Sequence, residues 1–254
     1  MGIRSLRRVN AQGGEVLALA LAMVVCLYAG ESSAGLVVPN DLASSPGDLQ
    51  NSAPFSGGDP NSSDPLTLRY QQVYGAPDLS SWIGREISGI AFRLNEPPGP
   101  SGDVVGGFVY DDIEIRLSTT ARSVDGLSTN LDTNVGPDVV LVYDGVYVLP
   151  NLEGDQPVNP FDMVFTLATP FTYTGGNLLM DVRMPDCDPP GFYMDAAWRG
   201  GNQTDAVSRA YALVGGYVGE DTLGLVTEFI PDPTTFAVLV VGGLTLLRRR
   251  RKAN

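Results

Sequence analysis

Asp112 and Glu114 stand two residues apart, with Asp111 beside them, in a stretch whose apolar residues alternate. On a strand that spacing puts two carboxyls on one face, about 7 Å apart. Glycosidases work with a carboxyl pair roughly 5–9.5 Å apart, so the spacing permits that chemistry. It equally describes the wet face of a strand. A second acidic set, Asp181, Asp186, Asp188 and Asp195, surrounds a loop stiffened by Pro185, Pro189 and Pro190. Calcium takes six to eight oxygens from loops of this kind, which makes these four the candidate metal ligands and calcium the one candidate cofactor. No EF-hand or repeat pattern supports them, and plain surface acid is the competing reading. Trp82 and Trp198 are the residues on which a sugar ring would stack; core packing is the alternative for each.

Other chemistries are excluded by composition. The chain contains no histidine, which removes Ser-His-Asp and Cys-His nucleophiles, His-ligated zinc and the HExxH protease pattern. No GxSxG, P-loop or GxGxxG stretch is present. Cys26 falls in an apolar N-terminal run and leaves Cys187 alone in the rest of the chain, so no internal disulfide can form there. The residues therefore predict a protein that is not an enzyme.

Both ends of the chain carry addresses. Arg4, Arg7 and Arg8 precede an apolar run from Val16 to Gly30, and Ser32-Ser33-Ala34 supplies small residues for cleavage after Ala34. That is the layout of a secretory signal peptide over 1–34, read by the general secretion machinery; the alternative is an N-terminal anchor left uncut. At the other end, Ile230-Pro231-Asp232-Pro233-Thr234 precedes an apolar helix predicted over 234–247 and the cations Arg248, Arg249, Arg250, Arg251 and Lys252. Those 14 apolar residues reach about 21 Å as a helix, against about 30 Å of bilayer core. Snorkelling arginines close part of that gap and hold the basic run on the cytoplasmic side as a membrane stop. Two prolines without N–H groups predict an extended, accessible backbone just outside the membrane.

The order of Pro-x-Pro-Thr, short apolar helix and terminal arginine run resembles the PEP-CTERM sorting signal of exported bacterial proteins. Ile230 stands where that signal usually has Val, and Asp232 where it usually has Glu. The resemblance covers about a tenth of the chain. It implies recognition and cleavage at 230–234 by a membrane-embedded exosortase, then release to the cell surface or the extracellular, exopolysaccharide-containing matrix. The alternative is a single-span anchor that is never cut. The β-rich body, with Arg69–Tyr74, Ile115–Thr120 and Gly176–Arg183, also resembles the bodies common in that family.

Between the addresses lies one domain of about 190 residues, long enough for a substantial core. The whole chain has a net charge of −13; without the two terminal segments, eight cations face 26 anions, near −18. Nucleic acid and anionic lipid are thereby excluded as partners of the body. Residues 35–65 are rich in Ser, Asn, Asp, Gly and Pro and predict an irregular leader with one short strand at 36–38, ahead of a β-domain over 66–228 and a tail from 229. Strands are predicted at 67–73, 86–94, 108–118, 139–143, 146–149, 162–167, 178–184, 191–198 and 206–214. Ser88, Ile90, Phe92 and Leu94 are the core face of the second, and Ile113, Ile115 and Leu117 that of the third. Asp144-Gly145 is the favoured turn of a hairpin. About nine strands and no convincing helix predict an all-β, two-sheet antiparallel sandwich, jelly-roll-like, flanked by a signal helix and a transmembrane helix. The function expected is structural or adhesive, with a secreted carbohydrate-binding or carbohydrate-active domain as the alternative.

Overall fold

A computed structural model describes residues 35–56, 67–95, 106–152, 154, 156–184, 191–198 and 206–232. Thirteen strands run through these residues: β1 (Leu36–Val38), β2 (Leu49–Asn51), β3 (Thr67–Tyr74), β4 (Glu86–Phe92), β5 (Val109–Thr120), β6 (Val140–Val148), β7 (Met163–Thr172), β8 (Asn177–Arg183), β9 (Met194–Ala197), β10 (Val207–Leu213), β11 (Val218–Asp221), β12 (Gly224–Leu225) and β13 (Thr227–Pro231). Helix among them is limited to single turns, such as Ala76–Leu79. The protein is all-β. Its strands pair antiparallel in three sheets, ordered β1-β13-β4-β7, β11-β10-β3-β8-β5-β6 and β12-β9-β2.

The pairings are nested: β3 with β8, β4 with β7, and β5 with β6. Successive strands β3 and β4 therefore belong to different sheets, as do β7 and β8. One apolar core is fed from both larger sheets. Phe165 of β7 stacks on Tyr147 of β6 with ring centroids 4.2 Å apart, and on Phe55 at 5.1 Å. Tyr74 of β3 meets Phe229 of β13 edge-on at 4.9 Å. A smaller cluster under the other face of the six-stranded sheet brings Leu127 and Leu131 onto Val73, Leu179 and Ala210. The polar segment 121–138 is thus a cover. Gln71 holds it in place, donating to the Leu131 carbonyl and accepting from the Asn134 amide, both at 2.9 Å.

The predicted core face of β5 is confirmed, with Ile113, Ile115 and Leu117 fully buried. Four expectations are corrected. In β4 a register shift between Ile87 and Gly89 changes the alternation, so Ile87 enters the core and Ser88 does not. The predicted hairpin at Asp144-Gly145 does not form: β6 runs straight through both residues along β5. Gly145 adopts φ +144°, a backbone state that glycine allows, and the strand continues rather than reverses. The strand predicted at 36–38 is present as β1, but the rest of the leader is not irregular: it adds β2, and Val38 and Phe55 are fully buried in the core. The domain also extends past 228, through a β13 that pairs with both β1 and β4.

Candidate functional site

The residues with the most specific pattern in the sequence begin in the last described strand. β13 sits inside the four-stranded sheet, with β1 on one side and β4 on the other. Its alternation explains the placement: Thr227, Phe229 and Pro231 are buried, while Glu228 and Ile230 are half-buried on the opposite face. Ile230 is in register with Gly89, and Pro231 with Ile87 across a register shift. A proline cannot donate to a ladder and is tolerated at such an irregularity. The Asp232 N–H donates to the Glu86 carbonyl at 3.2 Å. Pairing therefore covers the first half of the Pro-x-Pro motif, and the expectation of an accessible backbone at Ile230 and Pro231 is corrected. Pro233, Thr234, the apolar segment and Arg248, Arg249, Arg250, Arg251 and Lys252 lie outside the described residues, as does Ala34.

β1 and β13 are antiparallel, with Leu36 opposite Phe229 and Val37 opposite Glu228. The beginning and the end of the described body thus lie side by side. Glu228 is half-buried beside Gly35, and a Cβ built on Gly35 would fall 2.2 Å from its Oε1. Burial raises the Glu228 carboxyl above its ordinary value, and the positive charge of Arg93 pulls it back only in part.

The other candidate acids are occupied by arginine. Asp181, on central strand β8, receives Arg69 Nε at 2.9 Å and Arg69 Nη2 at 2.7 Å, with Arg183 Nη2 at 3.7 Å. Burial works against the charge of Arg69, but its hydrogen bonds to Asp181 and Asp132 raise its pKa. Asp195, on β9, receives Arg93 Nε at 2.7 Å and the Gly47 N–H at 2.8 Å. Burial nevertheless raises the Asp195 pKa against the attraction of Arg93. Arg93 itself spans to the carbonyls of Leu42 and Ser45 and lies over the Phe161 ring at 4.8 Å. Asp186 and Asp188 lie outside the described residues. Asp181 and Asp195 thus serve ion pairs in two different sheets, and among the described residues no group of three acids, cysteines or histidines could hold a metal ion.

Asp111 and Asp112 lie in an irregularity of β5, where three steps from Tyr110 to Ile113 face two on β6. Both are exposed. Glu114 accepts from Arg116 Nη1, and that hydrogen bond holds its pKa below the ordinary value. A glycosidase acid needs the reverse, a carboxyl raised until it carries a proton near neutrality. Trp82 is 3 % exposed and belongs to the core, whereas Trp198 is 48 % exposed at the end of β9. A groove of about 350 Å³ is lined by Asp125, Leu127, Ser208, Arg209, Glu220, Asp221 and Thr222. Its arginine is fully engaged, bidentate to Asp221 at 2.8 Å and bonded to Asn51 at 2.6 Å. Ser208 Oγ accepts the Asp125 N–H at 2.9 Å.

Glu228 and Arg93 were not singled out by the sequence reading. The run Val226 to Ile230, alternating ahead of Pro231, carries the strand signal that would have drawn attention to Glu228. Compared with protein-family models, with curated proteins and with solved structures, the chain matches none of them.

Proposed function

We propose that this chain is an exported, non-enzymatic β-domain that a PEP-CTERM-like tail targets to the cell envelope or extracellular matrix, where it acts as a structural or adhesive element. The observation that carries the reading is the pairing of β1 with β13. The first strand after the signal segment, Leu36–Val38, lies beside the strand that runs into the Pro-x-Pro motif, with Leu36 opposite Phe229. Neighbouring first and last strands suit a precursor whose two ends are held in one membrane. The charge near −18 keeps such a body away from anionic surfaces and soluble in a polysaccharide matrix. The nested pairs β3·β8, β4·β7 and β5·β6 support the finer reading of the fold as a jelly-roll-like two-sheet sandwich. Fold alone assigns no activity.

The processing enzyme is an exosortase-type membrane protease, and the cut falls beyond β13, because Ile230 and Pro231 are held in the sheet. Replacing Arg248 to Arg251 and Lys252 with glutamine in the full chain tests the reading. The native protein should be released from the membrane fraction, with the variant retained there at full length. Equal release of both proteins would overturn it. One observation favours a second reading, a secreted carbohydrate-binding domain: Trp198 presents its ring to solvent. Trp198→Ala should then abolish retention on polysaccharide beads, and unchanged retention would remove that reading.

A further inference from the structure

Glu228 occupies an unusual place among the acids of this protein. It lies on β13, with Val37 of β1 and Ala91 of β4 as register neighbours. Asp181, Asp195, Asp221 and Glu114 each have an arginine within hydrogen-bond distance. Glu228 has no hydrogen bond or ion pair among the described residues. The cation that acts on it is Arg93, whose Nε is committed to Asp195 and Nη2 to the Leu42 and Ser45 carbonyls, while its Nη1 has no hydrogen bond among the described residues. Its other neighbours supply nothing: β1 has no titratable side chain, β7 has none, and β4 adds only Glu86 at its far end. Partial burial raises the cost of its charge, and a nearby positive charge lowers that cost.

The carboxylate instead lies against Gly35. A Cβ at that residue would stand 2.2 Å from Glu228 Oε1 and 2.6 Å from Cδ, so glycine is the residue that leaves room for it. The Gly35 nitrogen is two bonds from that point, which places it at most about 5 Å from the oxygen. An opposite charge acts strongly on a carboxylate over that distance. In the uncut chain the nitrogen is a neutral peptide N–H.

We propose that Glu228 is a built-in receptor for the mature N-terminus: cleavage after Ala34 creates an α-ammonium on Gly35, and β1 holds it against the Glu228 carboxylate. This inference rests on the export reading above, which supplies the cleavage. The step is a hydrolysis by a signal-peptidase-class enzyme. Water adds across the Ala34–Gly35 peptide bond: its oxygen joins the Ala34 carbonyl carbon, the C–N bond breaks, Ala34 leaves as a carboxylate, and the released nitrogen takes both of the water's protons to become an ammonium. Nothing is oxidised or reduced. Maturation thereby converts an unpaired acid into an ion pair that ties the first strand to the last. The strand it secures is the one that leads into the sorting motif, so removal of the signal segment firms the sheet from which the tail departs.

The sequence makes the test unusually clean. Lys252 is its one lysine, and the eight cations of the body are all arginine. Reductive methylation with ¹³C-formaldehyde therefore labels the Gly35 amine and, where the tail is retained, Lys252, whose ordinary pKa near 10.4 sets it apart. The full chain is exported, recovered and first examined by N-terminal mass spectrometry. A start elsewhere than Gly35 overturns the cleavage site and this proposal with it. With Gly35 confirmed, NMR titration should show the α-amine binding its proton roughly tenfold more tightly than an ordinary α-amine, whose pKa lies near 7.7–8.0. Glu228→Gln should restore the ordinary value. An ordinary value in the native chain, or no change on Glu228→Gln, overturns the proposal and leaves the export reading standing. Should Glu228→Gln fail to fold, a chain shifted to start at Ala34 provides the same comparison, because its amine is one residue removed from the carboxylate. That amine should titrate normally, and a raised value there would equally overturn the proposal.

Discussion

The six-stranded and four-stranded sheets treat their charges differently. On the six-stranded sheet, three acids are held by arginines of the same sheet: Asp181 by Arg69 and Arg183, Glu114 by Arg116, and Asp221 by Arg209. Those three pairs form between side chains of one sheet and need nothing from processing. The four-stranded sheet contains the first and last strands of the body, and its acid Glu228 faces the chain's own beginning. One sheet is finished by folding. The other, in our account, is finished by processing.

The largest expected effect comes from removing the guanidinium that pairs with Asp195 and also acts on Glu228. Arg93→Ala leaves Asp195 buried without its counter-charge and should cost about 3–5 kcal/mol in chemical denaturation; a loss below about 1 kcal/mol would show that the pair is not the anchor described. Arg69→Ala should cost less, about 2 kcal/mol, because Arg183 stays near Asp181 at 3.7 Å. A loss equal to that of Arg93→Ala would erase the distinction between a shared and a sole partner.

A pH series sharpens the comparison further. Glu228 has a folded pKa raised above 4.5 by burial, so the folded chain holds that proton more tightly than the unfolded chain. In protein that retains the residues before Gly35, the contribution of Glu228 to stability is then fully present below pH 4.5 and is lost as pH rises through the folded value. Glu228→Gln should flatten that fall. Glu114 has the opposite sign: Arg116 depresses its pKa, so its contribution is present above pH 4.5 and is lost as pH drops through the folded value. Thermal unfolding across pH 3–7 distinguishes the two slopes, and a Glu228→Gln variant that keeps the native slope would contradict the assignment. The smallest effect belongs to Trp198→Ala, within about 0.5 kcal/mol for an exposed side chain, whereas Trp82→Ala should cost about 3–5 kcal/mol.

Much of the fold is legible in the sequence because half-buried strands alternate. Ile113, Ile115 and Leu117 identify the core face of β5 without any structure, and Met163, Phe165 and Leu167 do so for β7. Legibility fails where tertiary pairing overrides local signals. Asp144-Gly145 has the chemistry of a hairpin turn, yet β5 offers a partner along its whole length and β6 passes straight through. In the leader the apolar run Leu36–Val38 marks β1, whereas β2 is three residues with two exposed, and only its pairing with β9 defines it. The register shift in β4 exchanges Ser88 for Ile87, a change that depends on the partner strand. The acid cluster around Asp181 and Asp195 suggested calcium because sequence shows where carboxylates stand in the chain, not which arginines reach them from other strands. The Pro-x-Pro motif was readable as a motif, but the inclusion of Ile230 and Pro231 in a central strand depends on contacts with β4, distant in the chain.

The most direct measurement is the intact mass of the protein recovered from its native host. Our account predicts a chain that begins at Gly35 and ends beyond Pro231, without the run from Arg248 to Lys252. A mass that retains that basic run would contradict sorting and leave a simple membrane anchor.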